Sequence, residues 1–156
     1  MRIKVWSLIL VAMFLFGCTA EKQASAPVAQ ETSEQLFQKA MTFLAQNKLP
    51  EAVESLEQAA EASDEGINAY FALAQLYMRL KSYDNAIITC QKILQRDQEN
   101  PHVYLLMAGC YDLKGEPEKA IEFVKVGMAL FQEQDNVEGF RNAAEIFKKL
   151  TLPEEK

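Results

Sequence analysis

Residues 67–100, INAYFALAQLYMRLKSYDNAIITCQKILQRDQEN, divide into two short amphipathic stretches. Apolar residues recur at helical spacing over Asn68–Leu80 and again over Tyr83–Arg96, with Lys81-Ser82 between them. The spacing predicts two helices joined by a tight turn. A shift of 34 residues in either direction brings the pattern back. Ala74 then falls on Ala40 and Ala108, Tyr77 on Phe43 and Tyr111, and Ala86 on Ala52 and Ala120. Three residue types returning at one spacing identify an internal repeat. A single hairpin is too small to bury its apolar stripe, but stacked hairpins share a continuous core.

The pattern resembles the tetratricopeptide repeat. With the middle unit starting at Ile67, the bulky position 4 holds Leu36, Tyr70 and Tyr104, and position 7 holds Lys39, Leu73 and Met107. Position 8, where helices approach closely, holds Ala40, Ala74 and Ala108, and position 11 holds Phe43, Tyr77 and Tyr111. The small position 20 holds Ala52, Ala86 and Ala120, position 24 Leu56, Cys90 and Val124, and position 27 Ala59, Ile93 and Gly127. Lys39 and Gly127 depart from the family, and its proline at position 32 is replaced by Asp64, Gln98 and Gln132. The resemblance implies an all-α fold: a right-handed α-solenoid of three helix hairpins, at 33–66, 67–100 and 101–134, with a capping helix over 137–150. The tail 151–156 follows.

The units carry their own punctuation. Thr32 and Gln35 form a capping-box pair before the first helix, and Asn47 suits a left-handed turn at its end. Pro50, Pro101 and Pro117 sit in first turns, where a missing N–H costs nothing. Asn100 is placed to cap, and Lys114-Gly115 to stop, the first helix of the third unit. Lys81 occupies a turn position that suits glycine better. The final helix carries Phe140, Ala144, Ile146, Phe147 and Leu150 on its apolar side, with Arg141, Lys148 and Lys149 as its polar face.

Before the repeats lies a different composition. Arg2 and Lys4 precede an apolar run, Val5–Phe16, broken only by Ser7. That run is about 12 residues long, short of the roughly 20 needed to span a bilayer, so residues 1–17 read as a signal peptide. Leu15-Phe16-Gly17-Cys18 resembles the bacterial lipoprotein processing box, with Phe16 larger than usual. The resemblance implies cleavage before Cys18 and acylation of that residue, so that acyl chains hold the protein on a membrane. Thr19, in place of an aspartate retention signal, points to the outer membrane facing the periplasm. Residues 18–32 read as the lipidated cysteine and a flexible tether, with a reach of roughly 20 Å.

The chain has a net charge of −6, and it becomes more acidic once Arg2 and Lys4 leave with the leader. That balance opposes nucleic-acid binding, which needs a basic face. It also opposes electrostatic docking on anionic lipid. No metal or other cofactor is expected. His102 is the only histidine and has no metal-ligand partner near it in sequence. Cys90 and Cys110 lack CxxC spacing and sit at small, buried repeat positions. They are expected either as two free thiols or, in an oxidising periplasm, as a disulfide. Without a histidine pair, a phosphate loop or a ligand cluster, the reading is of a protein that is not an enzyme.

The resemblance places the ligand groove on positions 2, 5, 9, 12 and 13 of each first helix. Those positions nominate Phe37, Met41, Leu44, Phe71, Gln75, Met78, Arg79, His102, Leu105 and Asp112 as the partner-binding surface. A contiguous apolar strip of this kind marks a protein or peptide site. Some relatives grip an acidic C-terminus through a Lys/Asn clamp. The corresponding residues here are Phe37, Met41, Ala72, His102 and Leu106, so that clamp is absent. The expected function is an envelope scaffold or assembly factor, similar to small repeat lipoproteins that help build pili, secretion pores and outer-membrane machines. The alternative is a self-associating structural lipoprotein whose apolar strip is an oligomer interface.

Overall fold

The computed structural model describes residues 31–62 and 66–152. The leader, Cys18 and most of the tether lie outside the described residues. Among the described residues there are seven helices: α1 (Ser33–Ala45), α2 (Leu49–Glu61), α3 (Ile67–Arg79), α4 (Tyr83–Leu94), α5 (Pro101–Leu113), α6 (Pro117–Glu133) and α7 (Val137–Thr151). The described residues contain no strand. Each helix packs on the one before and the one after, and α3 also touches α5 across the skipped α4. That contact puts α3 and α5 on a common side of the stack. The all-α solenoid expected from the repeat is therefore the observed fold.

The alanines at positions 8 and 20 set the spacing within each hairpin. Ala40 and Ala52 are fully buried in one cluster, Ala74 and Ala86 in a second, and Ala108 and Ala120 in a third. A methyl on each side lets two helix backbones approach closely, and the bulkier residues pack around that contact. Positions 3, 7 and 10 of each first helix then face the preceding hairpin. Leu73 and Leu76 join the cluster of the first unit, and Val103, Met107 and Cys110 that of the second.

In α1 the same three positions hold Gln35, Lys39 and Thr42, and all are exposed. Gln35 completes the capping box with Thr32, Lys39 pairs with Glu31 at 2.9 Å, and the Thr42 hydroxyl donates to the Gln38 carbonyl. Lys39 departs from the family's apolar preference because no helix packs on this face among the described residues.

The turns repeat as strictly as the core. Asn47, Lys81 and Gly115 all adopt positive φ, at 56°, 59° and 78°. The following residue donates its N–H back to the carbonyl at position 11: Lys48 to Phe43 at 2.9 Å, Ser82 to Tyr77 at 2.8 Å and Glu116 to Tyr111 at 2.9 Å. This is the Schellman arrangement, which satisfies carbonyls orphaned at a helix end. Asp135, φ 54°, and Asn136, bonded to the Phe131 carbonyl, repeat it between α6 and α7. Asn100 occupies its cap position, but its side chain makes no cap bond. Its amide donates to Asp97 instead, and its buried Oδ1 has no partner.

The third hairpin departs in length. α6 runs 17 residues against 13 in α2 and 12 in α4. The extra turn carries Phe131, the largest fully buried side chain, against α7. Gly139 makes room for it: a Cβ there would stand 2.3 Å from the Phe131 ring.

Two substitutions test these devices. Lys81→Gly relieves a left-handed backbone that costs an L-residue about 1 kcal/mol and should raise the unfolding free energy by a comparable or smaller amount in urea. Gly139→Ala drives a methyl into Phe131 and should lower it by about 1–3 kcal/mol.

Candidate partner-binding groove

The first helices α1, α3 and α5 carry every residue nominated for the groove. Gln75, Arg79, His102 and Asp112 are exposed, whereas Phe37, Met41, Leu44, Phe71, Met78 and Leu105 are half-buried. The apolar members thus have two jobs. Phe37 leans on both the first and second core clusters, Met41 and Leu44 on the first unit's cluster, and Phe71 and Met78 on the second's. Their remaining surface stays open along α1 and α3.

Toward α5 the strip is progressively occupied by the fold itself. Met78 lies over Gly109, whose missing Cβ would sit 3.7 Å from the sulfur. Leu105 turns toward α6, with its Cδ2 3.1 Å from where a Cβ on Gly127 would be. That contact accounts for glycine at a position where the family prefers alanine. His102 meets the Phe131 ring edge-on, with centroids 5.0 Å apart and planes at 81°. Leu113, by contrast, is 55% exposed at the end of α5. Phe37, Met41, Phe71 and Met78, half-buried, are the apolar part of the strip along α1 and α3, with Arg79 and Gln75 as exposed polar neighbours.

The ionisable groups beneath this surface are held quiet. Cys90 and Cys110 are free, fully buried thiols. Burial, with Cys110 close by, pushes the Cys90 thiol up to about 12. Burial alone pushes Cys110 up to about 11. The Tyr77 phenol is also pushed up to about 12, first by burial and then by its 2.6 Å hydrogen bond to Glu57, which ties α3 to α2. A thiol that keeps its proton is a poor nucleophile. Among the described residues no group of His, Cys, Asp and Glu could hold a metal ion, and no helix is long and apolar enough to cross a membrane.

The apolar side named for the last helix is only partly covered. Phe140, Ala144 and Phe147 on α7 are half-buried, with Phe140 and Phe147 packed against the third cluster, while Gly139 and Ala143 are buried. The residues were legible as an apolar side, but their place in the repeat was shifted. α7 starts 36 residues after α5 instead of 34, because of the longer α6. Counted from Val137, Phe140, Ala144 and Phe147 fall on positions 4, 8 and 11.

Helical hairpins stacked through small residues, with an apolar strip along the first helices, define an α-solenoid scaffold. Tetratricopeptide-repeat models match residues 37–101 and 81–144, so the chain carries tetratricopeptide repeats over those residues. The FK506-binding protein 5 of Rhizopus delemar is 31% identical over 72 residues, 46% of this chain and 19% of that protein. The chain therefore spans about a fifth of that relative's length. The TPR2B domain of yeast Sti1, solved in a complex with pHsp70, superposes with a TM-score of 0.68 at 19% identity, covering 76% of this chain and 95% of that one. PcrH of Pseudomonas aeruginosa, in complex with the chaperone binding region of PopD, superposes with a TM-score of 0.67 at 17% identity, covering 76% and 90%. At these identities the structural likeness is one of fold.

The weakened acidities of the two thiols and the Tyr77 phenol make stability depend on pH. Cys90, Cys110 and Tyr77 keep their protons in the folded chain beyond the ordinary values of 9.0 and 10.0. Above about pH 9 the unfolded chain binds fewer protons than the folded one, so stability falls as pH rises. Urea midpoints should hold steady up to about pH 9 and decline from there through about pH 12. In the folded chain both thiols should react slowly with a thiol reagent at neutral pH, and quickly once urea exposes them.

Proposed function

We propose that this protein is a lipid-anchored scaffold of the bacterial envelope that holds a protein partner in the groove along α1 and α3. The observation that carries the reading is the half-open apolar strip of Phe37, Met41, Phe71 and Met78. Such a strip on a water-facing surface is stabilised by covering it, and methionine adapts to apolar side chains of varied shape. Two relatives of the same fold have structures with a bound partner, pHsp70 on the Sti1 domain and a segment of PopD on PcrH. Tetratricopeptide repeats characteristically serve as scaffolds without catalysis, and here the buried thiols stay protonated. The Lys/Asn clamp for an acidic C-terminus is missing at Phe37, Met41, Ala72, His102 and Leu106, so an apolar helix or extended peptide suits the groove better. Arg79 and Gln75 would orient a polar end of that ligand.

The anchor is the second half of the reading. Cys18 with its preceding Leu15 and Gly17 would receive acyl chains, and residues 19–32 would tether the repeats to the outer membrane on its periplasmic side. Several chains on one residue give stable attachment, since each buried methylene contributes about 0.8 kcal/mol.

A photocrosslinking amino acid in place of Phe71 or Met78 should capture one discrete partner in cells. The Phe71→Glu and Met78→Glu pair should lower recovery of that partner by more than about tenfold, a loss of about 1.4 kcal/mol, with helical content unchanged. In the same cells Cys18→Ala should move the chain out of the membrane fraction. Undiminished capture by the double variant would refute the groove. Concentration-dependent dimers that the same variant dissolves would assign the strip to self-association instead.

A further inference from the structure

The last helix is built as half of a hairpin. Its positions 4, 8 and 11 hold Phe140, Ala144 and Phe147, the same aromatic–small–aromatic set as Tyr104, Ala108 and Tyr111 on α5. On α5 that set receives α6: Ala108 and Ala120 are buried together, and Tyr111 stacks on Phe123 at 5.2 Å. On α7 no helix among the described residues fills the equivalent seat: Ala144 is half-buried where Ala108 is fully buried, while Phe140 and Phe147, half-buried like Tyr104 and Tyr111, also pack against the third cluster. Val137, on the same side, is 69% exposed.

The neighbouring side of α7 carries the opposite chemistry. Position 5 is Phe37, Phe71 and Leu105 in the three units, each packed in a core cluster, but Arg141 in α7. Position 12 is Leu44, Met78 and Asp112, but Lys148 in α7. Both cations are exposed. A further first helix laid on that side would have to bury them, which is costly. α7 therefore offers a seat for one helix and refuses a second.

We propose that this seat is a docking site for a single amphipathic helix of a partner protein, carrying a small residue to meet Ala144 and acids along one flank. The charge of the flank argues for that occupant. At 100° per residue, Arg141 and Lys148 line one edge of the Phe140–Ala144–Phe147 face, where flanking charges of a docked helix would meet them. Lys125 of α6 stands at the other edge of the face, its Nζ 5.8 Å from the centroid of Phe147. Glu138 and Glu145 lie further round the helix, behind the two α7 cations, and Lys149 lies beyond them, away from the seat. A second copy fits badly. An antiparallel twofold packing centred on Ala144 brings like flanks together and sets Arg141 of one copy beside Lys148 of the other.

The chain supplies its own template for a probe. α2 is an acidic second helix, with Glu51, Glu54, Glu57 and Glu61, and its seat on α1 is the comparable Leu36, Ala40 and Phe43. A labelled synthetic peptide with the sequence of residues 48–62, carrying Leu49→Glu and Val53→Glu, places acids on the flank facing Arg141 and Lys148 when it lies antiparallel. A twin peptide carries Leu49→Lys and Val53→Lys. Fluorescence anisotropy with the full chain at low salt should show the acidic peptide binding at least about fivefold more tightly than its twin. Ala144→Glu should abolish that binding while leaving the circular dichroism melt in place. Phe71→Glu should leave it unchanged, which separates this seat from the groove. Absence of binding, equal affinity for the twins, or binding that survives Ala144→Glu overturns the proposal. Sedimentation showing dimers that Ala144→Glu dissolves also overturns it, in favour of a second copy.

Discussion

The close approach of two alanines, once per hairpin, is the contact on which the rest of the stack depends. Ala40 with Ala52, Ala74 with Ala86 and Ala108 with Ala120 leave no surface exposed. They fix how near the two helices of a unit lie, and hence where positions 3, 7 and 10 point. Those positions seat each hairpin on the one before. A larger side chain at any of the six would widen one hairpin, and the displacement would pass to its neighbours because packed interiors do not yield gradually. The Schellman turns at Asn47, Lys81 and Gly115 serve the same constraint. They reverse the chain in few residues and end each first helix at the same point relative to its alanine.

A constraint that recurs is easy to read. The three alanine pairs, the aromatic position 11 and the turn residues all showed in the sequence, because each unit must solve the same packing problem with the same residue sizes. What was hidden was hidden by context. Lys39 read as a flaw in the repeat, yet it lies on a face that no helix among the described residues covers and is satisfied by Glu31. Gly127 and Gly139 answer to Leu105 and Phe131, partners that periodicity does not reveal. Asn100 stands at a cap position but spends its amide on Asp97. The fourth first helix was masked by an offset of two residues, a consequence of the longer α6.

The groove was legible as a list of residues, but its share of surface was not. Helical spacing assigns Phe37, Phe71 and Leu105 to one position, and nothing in the pattern distinguishes them. Packing does. Leu105 leans on α6 where glycine leaves space, Phe37 packs on the first two clusters and Phe71 on the second, and all three stay half-buried. His102 likewise sits at a groove position and still touches Phe131. In a solenoid the same side of a helix serves its neighbour and its ligand, so the division between the two depends on side-chain volumes across several helices.

The two ends of the stack follow from that division. At α1 the side that would meet a preceding hairpin is polar, and its groups are occupied by a cap, an ion pair and a backbone bond. Extending the stack there would bury polar groups already satisfied, at a cost that hydrophobic contact would have to exceed. At α7 only one direction is closed in this way, by Arg141 and Lys148. The direction of Phe140, Ala144 and Phe147 is apolar and shaped like the seats that hold α2, α4 and α6. Water covers it at a cost proportional to area, and a helix of matching spacing would remove that cost. The solenoid thus resists growth at its first helix and accepts one more element at its last.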